Sequence, residues 1–369
     1  MGLNKRILSL IIILIAAIAV SCIGAYTYWY YRPNTAVISN GIILSNLIII
    51  DDGKHDAFPD MIYWKDNYYL AYRAAKSHID TNSSIVILAS TNAKKWTAVA
   101  ELSLADEDIR DPKFAIVNDL LFLYALKNKD IVANPYTTVY TKSVDGENWS
   151  DWKDVSPEEW VFWRPKSVDG KIWYVGADDR EQKTSALFSS TDGIVWKKLS
   201  TIYSGEFNGE IEISFLDGEL FSTIRVEGVE GDPKTMIGLS QDPYSSWQLT
   251  PSYVTRLDGP CLFSYKGVLF ASGRFEPSDK DFSTGSFLNR KRTSIFLVKD
   301  TGLTYLTDLP SSGDTSYPTV VVEENKAYIA YYTSDPNKDF PWLIGMTKPT
   351  QIRMAVINLD ELLLLSTKK

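Results

Sequence analysis

Cysteine and histidine are scarce in this chain, with two of each among 369 residues. Cys22 lies in an apolar N-terminal run, and Cys261 in the apolar stretch Gly259-Pro260-Cys261-Leu262-Phe263. No disulfide can therefore tie the rest of the chain together, and Cys261 reads as a small core residue rather than a nucleophile. His55 and His78 are too few for a His-rich zinc site, so no metal and no other cofactor is expected. Clustered basic residues are missing as well. Lys and Arg number 38 against 46 Asp and Glu, a net charge of -8, which argues against a nucleic-acid partner. There is no Gly-rich phosphate cradle and no dinucleotide fingerprint. Beyond Pro33 there is no linker, no low-complexity segment and no long helical periodicity.

The N-terminus carries the one long hydrophobic run. Lys5-Arg6 precede 25 uncharged residues, Ile7 to Tyr31, enough to cross a bilayer as a helix. Residues 1–33 are read as a membrane anchor and 34–369 as one domain. The basic pair places the N-terminus inside and the domain outside the cell. Tyr26, Tyr28, Trp29, Tyr30 and Tyr31 suit the outer interface. A cleaved signal segment leading to secretion is the alternative, as is a lipoprotein, given Ala19-Val20-Ser21-Cys22.

The domain consists of short runs rich in Tyr, Trp, Val, Ile and Phe between turn residues, which is the all-β pattern. One turn repeats. Ser143-Val144-Asp145-Gly146-Glu147-Asn148-Trp149 returns as Ser190-Thr191-Asp192-Gly193-Ile194-Val195-Trp196, with weaker copies at Ser90–Trp96 and Ser240–Trp247. The serines are 53, 47 and 50 residues apart, the interval of a structural repeat. Between these turns runs a second series, in which a strand and a polar turn lead into another strand. The turns lie at Asp66-Asn67, Asn118-Asp119, Asp169-Gly170, Asp217-Gly218, Lys266-Gly267 and Glu324-Asn325, good hairpin signals. The two series keep a constant phase of 20–22 residues. Each unit thus has four strands, and six units make a six-bladed β-propeller. Gly41 to Ile50 has no hairpin, and the last unit lacks a fourth strand. The N-terminal strand is therefore expected to complete the sixth blade and leave no full-length open edge. The Asp of the repeated turn serves the turn itself, and its Trp fills the gap between sheets.

In a propeller the first strand of each blade lines the axis. Asp60, Arg110, Asp111, Arg164, Glu210, Asp314 and Tyr317 fall where those strands begin. Arg73, Arg225 and Arg274 fall near the ends of second strands. Their convergence predicts a polar, anion-recognising site, unless some of the pairs merely neutralise one another along the axis.

The S-x-D-G-x-x-W turn resembles the Asp box of sialidases, and the hairpin series extends that resemblance over nearly the whole domain. Asn208-Gly209-Glu210-Ile211-Glu212, continuing to Arg225, is similar to the blade that supplies a glutamate and a carboxylate-binding arginine. Gly313-Asp314-Thr315-Ser316-Tyr317-Pro318 is similar to the blade that supplies a nucleophilic tyrosine. The resemblance implies that Tyr317 attacks the anomeric carbon while Glu210 takes its proton, and that Asp80 serves as acid/base with His78 orienting substrate. It implies further that Arg225 and Arg274 clamp a carboxylate, with Arg73 standing in for a third arginine. That third arginine belongs to an Arg-Ile-Pro motif, where this chain has Ala57-Phe58-Pro59-Asp60. The expected activity is exo-hydrolysis of a terminal acidic or deoxy sugar from extracellular glycans. The missing arginine leaves open a non-catalytic propeller that binds surface glycan or protein. The Arg110-Asp111-Pro112 stretch is also similar to five-bladed furanosidases, which would use Asp60, Asp111 and Glu210.

Overall fold

A computed structural model describes residues 5–129, 136–179, 181–205, 207–228, 232–277 and 288–369. Six antiparallel sheets follow one another along the chain, and their innermost strands touch around a common axis. Blade 1 comprises His55–Trp64, Asn67–Ala75, Ser84–Ser90 and Thr97–Ser103. Blades 2, 4 and 5 repeat this plan, with inner strands Asp108–Val117, Asn208–Leu216 and Asp258–Tyr265. In blade 3 the inner strand is broken at Trp163-Arg164-Pro165 into Trp160–Phe162 and Lys166–Ser167, both paired with Trp173–Asp179.

Blade 6 closes the ring as the sequence predicts. Its inner strand is Thr315–Glu323, followed by Lys326–Thr333 and Gln351–Asn358, and its outer strand is Ile43–Ile50 from the N-terminus. The segment leading into that outer strand is fastened too. The Asn34 side-chain amide donates to the carbonyls of Ser311, Pro336 and Lys338, and the Val37 amide donates to Asp308. A C-terminal helix, Leu359–Ser366, was not anticipated. Asn358 caps it by accepting from the Asp360 and Glu361 amides, and Leu359 and Leu362 are buried in the core between blades 5 and 6.

The repeated turns perform the structural role read from their spacing. Ser143 Oγ donates to Asp145 Oδ1 and accepts from the Gly146 amide, while Asp145 Oδ1 accepts from the Glu147 and Asn148 amides. Gly146 takes φ +82°, and a Cβ there would lie 2.4 Å from the Tyr69 ring, so only glycine fits. Ser190–Trp196 repeats these bonds. Its Trp196 is buried against Phe162 of blade 3 and Tyr124 of blade 2. Trp149 packs likewise on the core shared by blades 1 and 2.

The N-terminal helix Lys5–Tyr31 has 27 residues, none buried. It is long and apolar enough to cross a membrane, as a signal sequence would also be.

Candidate active site

Five of the six inner strands share one irregularity. Pairing with the second strand slips between Ala57 and Asp60, Arg110 and Lys113, Gly209 and Glu212, Asp258 and Cys261, and Ser316 and Thr319. Each slip holds a residue in the left-handed region: Phe58, Asp111, Glu210, Gly259 and Tyr317, at φ 49–58°. Bulges of this kind re-aim side chains, and left-handed backbone at a non-glycine residue is strained. The bulges turn Asp111, Glu210 and Tyr317 toward one mouth of the axis. There they line a cavity of about 420 Å³ together with His78, Tyr136, Trp163, Asp178, Trp342 and four arginines. That volume lies in the range of small-molecule sites, about 300–1,000 Å³.

Tyr317 and Glu210 meet across the cavity. The Tyr317 hydroxyl donates to Glu210 Oε1 at 2.6 Å. Arg225 donates to the same oxygen at 2.5 Å, and the Gly259 amide to Oε2 at 2.5 Å. At Gly259 a Cβ would come within 2.6 Å of the Tyr317 ring, so this bulge needs glycine for the tyrosine to pass. The Arg274 guanidinium lies 5.1 Å from the Tyr317 ring centroid. Burial raises the Glu210 carboxyl above its usual range despite Arg225. Burial and the Glu210 charge push the Tyr317 phenol well above its own. The pair is therefore a neutral phenol held on a carboxylate of increased basicity.

The loop after the second strand of blade 1 presents His78 to the cavity. Arg73 is fully buried beneath this loop and donates to Asp108 and to the carbonyls of Ser77 and Asp80. Arg110 donates to Asp108 and to the His78 carbonyl. The Asp80 carboxylate accepts from the Lys76 and Asn82 amides, so it serves the loop and does not line the cavity. His78 Nδ1 lies 2.6 Å from Asp314 Oδ2, and His55 Nε2 lies 2.9 Å from the same oxygen. Asp314 Oδ1 accepts from the Tyr332 hydroxyl and the Trp342 indole. Burial alone would raise the Asp314 carboxyl, but the two histidines outweigh it and hold the group well below its usual range. Among the described residues, His55, His78 and Asp314 are the group whose ligand atoms lie close enough, within 4.8 Å, to hold a metal ion. The carboxylate oxygen, however, sits between the two nitrogens at hydrogen-bond distance. That is how two donors share one acceptor, whereas metal ligands face a common point about 2 Å away.

The remaining expected residues divide between two places. Arg110, Asp111, Arg225 and Arg274 line the cavity with Tyr317 and Glu210. Asp60 and Arg164 lie deeper on the axis. Arg164 bridges Asp60 (2.7 Å) and Glu212 (2.6 Å), and both Asp60 and Arg164 line a separate cavity at the far side. They are the mutually neutralising pair that the sequence allowed for. Arg73 and Asp314 lie behind the cavity wall.

Several cavity residues escaped the sequence reading, Asp178, Arg256 and Trp342 among them. Asp178 occupies on its second strand the place that Arg73, Arg225 and Arg274 occupy on theirs, and burial pushes its carboxyl up to about 8. Arg256 donates to Asp258 and Glu227. Trp342 belongs to the loop after the second strand of blade 6. A usable signal existed for one of them. Four residues before the inner-strand proline stand His55, Asp108, Arg256 and Asp314, all buried. Among the described residues, every cavity arginine is committed to a resident carboxylate: Arg110 to Asp108, Arg225 to Glu210, Arg256 and Arg274 to Asp258.

No protein-family model and no curated protein matches the chain. Solved structures do. A protein of unknown function from Dyadobacter fermentans superposes with a TM-score of 0.67 at 18% identity, over 87% of this chain and 100% of that one. The phage phi92 endosialidase gives 0.65 at 10% identity, over 85% of this chain and 69% of the phage protein. A mutant of Trypanosoma rangeli sialidase displaying trans-sialidase activity gives 0.66 at 12%, over 90% of this chain. The chain spans 61% of the trypanosomal protein's length. At these identities the likeness is one of fold: this chain is a six-bladed β-propeller, and its structural neighbours include sialidases.

Proposed function

We propose that the protein is a retaining exo-glycosidase that removes a terminal acidic or deoxy sugar, with Tyr317 as nucleophile and Glu210 as its base. The observation that carries this reading is the 2.6 Å hydrogen bond from the buried Tyr317 hydroxyl to Glu210. As Tyr317 Oη bonds to the anomeric carbon, its proton passes to Glu210 and the leaving group departs with the electron pair of the glycosidic bond. Water then attacks the same carbon and gives up one proton, which balances the proton taken up by the departed aglycone oxygen; the tyrosyl oxygen leaves and recovers its own proton from Glu210. Configuration is retained through two inversions, the tyrosine taking the place of the second carboxylate of most retaining enzymes. A phenol also suits an acidic sugar, since it carries no charge to repel a carboxylate. The tyrosine-nucleophile sialidases that the sequence resembles support the assignment, as does the shared fold of the neighbours named above. The apolar run after Lys5-Arg6 supports a membrane-anchored propeller that faces extracellular glycans.

A panel of aryl glycosides of sialic acid, other 3-deoxy acids, uronic acids and 6-deoxyhexoses tests the reading. The wild-type chain should release phenol from at least one with retention. Tyr317→Phe should lower that turnover by about 10³-fold or more with its melting temperature unchanged. Binding on a glycan array without turnover of any glycoside would favour a lectin-like propeller instead.

A further inference from the structure

The geometry points to His78, held by Asp314, as the proton donor to the departing group and the base that activates water. This rests on the glycosidase reading above and supplies the acid that it lacks. The expected acid, Asp80, has both carboxylate oxygens turned to backbone amides of its own loop. His78 stands on the same loop two residues earlier, and it lines the cavity.

Three observations support the role. First, the loop is built to hold this ring. Two arginines from different blades, the buried Arg73 and the half-buried Arg110, grip the carbonyls of Ser77, His78 and Asp80. Two cations holding three carbonyls within four residues fix the backbone at His78 before any ligand arrives. Second, the ring orientation is set. An ionised carboxylate has no proton to give, so at Asp314 Oδ2 the His78 Nδ1 must be the donor. With Nδ1 engaged by a buried carboxylate and the side chain 16% exposed, Nε2 is the nitrogen left to act on a ligand. A carboxylate on one imidazole nitrogen steadies the charge that forms when the other takes a proton. Third, His78 and Tyr317 flank one ring. Phe58 lies 5.7 Å from His78 and 4.8 Å from Tyr317, centroid to centroid, so the two polar groups share one apolar wall of the cavity.

In the first step the imidazolium Nε2–H passes its proton to the glycosidic oxygen as the bond to the anomeric carbon breaks. The aglycone leaves as a neutral alcohol, and Tyr317 has given its own proton to Glu210. In the second step neutral Nε2 takes a proton from water as the water oxygen attacks the anomeric carbon. The electron pair of the carbon–tyrosyl bond returns to Tyr317, which regains its proton from Glu210. One water is consumed and both side chains end as they began. Burial lowers the imidazolium's affinity for its proton while Asp314 raises it, with a net fall, which keeps Nε2 able to release as well as accept.

Besides Glu210, four carboxyls line the cavity; Asp258 and Glu227 are engaged by Arg256, and the experiment must separate Asp178 and Asp111 from His78. Asp178 accepts the Glu210 amide at 3.3 Å and so supports the strained backbone beneath the base. Asp111 has one buried oxygen without a partner. The test uses the sugar of any aryl glycoside that the full-length chain hydrolyses, joined in one case to phenol and in the other to 2,4-dinitrophenol. A good leaving group needs no proton. His78→Gln should lower hydrolysis of the phenyl glycoside by about 10²–10⁴-fold and that of the dinitrophenyl glycoside by less than about tenfold. Equal losses on both, or the selective loss in Asp178→Asn or Asp111→Asn instead, would overturn the assignment while leaving the glycosidase reading intact. If the wild type hydrolysed neither glycoside, that reading would fail and the acid role with it. A readout that needs no substrate stands beside these. The chain has two imidazoles, distinguished by the His78→Gln variant. The ¹⁵N spectrum should show neutral His78 protonated at Nδ1, and a neutral Nε2–H form would contradict the geometry.

Discussion

Two of the residues proposed for the chemistry, Glu210 and Tyr317, are held by the sheet in unfavourable backbone, as is their cavity neighbour Asp111. Asp111, Glu210 and Tyr317 each sit at positive φ in a bulge, at about 1–3 kcal/mol apiece. In four of the five bulges the strained residue directly precedes proline: Phe58, Asp111, Gly259 and Tyr317. Proline removes a donor that an unbroken ladder would need. The buried Asp178 carboxyl, which accepts the Glu210 amide, ties stability to pH. Its ordinary value is 3.8 and its folded value about 8. Between them the folded state keeps a proton that the unfolded state has lost, so stability falls as pH rises through this window. The contribution is whole below about pH 4 and gone above about pH 8. Asp178→Asn should flatten the fall in melting temperature between pH 5 and 8 relative to wild type. Identical pH profiles would refute the buried acid.

Among the elements, the closing strand bears most on the fold. Ile43–Ile50 pairs with Ile352 to Ile357 of the strand Gln351–Asn358, joining the two ends of the chain in one sheet. A chain beginning at residue 34 should melt cooperatively and stay monomeric. A chain beginning at residue 53 exposes the edge of Gln351–Asn358, a template for association. It should melt at least about 10 °C lower and show oligomers by light scattering. Equal melting and a monomer would mean that the strand does not close the ring. The elements were the legible part of the sequence. Asp-Gly turns, Asp-box spacing and an unpaired apolar strand at one end specify six blades and their closure, because turn chemistry and side-chain alternation are local. The placing of Asp80 was not legible. Whether a loop carboxylate faces a cavity or its own amides depends on Arg73 and Arg110, which arrive from two strands. The ion pairs of Asp60 with Arg164 were equally hidden, since they join blades 1 and 3. Tyr317 and Glu210 could be singled out because each lies beside a recognisable strand start, in blades 6 and 4.

At the scale of the whole molecule the axis has two mouths separated by charge. The bridge from Asp60 through Arg164 to Glu212 and Lys166 crosses the channel, and the bulges open only on one side of it. On that side, among the described residues, four arginines face five carboxyls, and burial favours the protonated form of one of them, Asp178. A carboxylate-bearing sugar would have to share a guanidinium with Asp258 or Glu210, whereas a deoxy sugar would meet the cavity as it stands; the glycoside panel distinguishes them. The central claim is that Tyr317 becomes covalently bound to sugar. It is tested most directly by trapping. The aryl glycoside that is turned over is remade with fluorine beside the anomeric carbon, which slows both steps, and with fluoride as leaving group, which restores the first. After digestion, mass spectrometry should find one sugar on the peptide containing Tyr317 and none in Tyr317→Phe. A sugar on a carboxylate such as Asp111 or Glu210, or turnover with inverted configuration, would contradict the account.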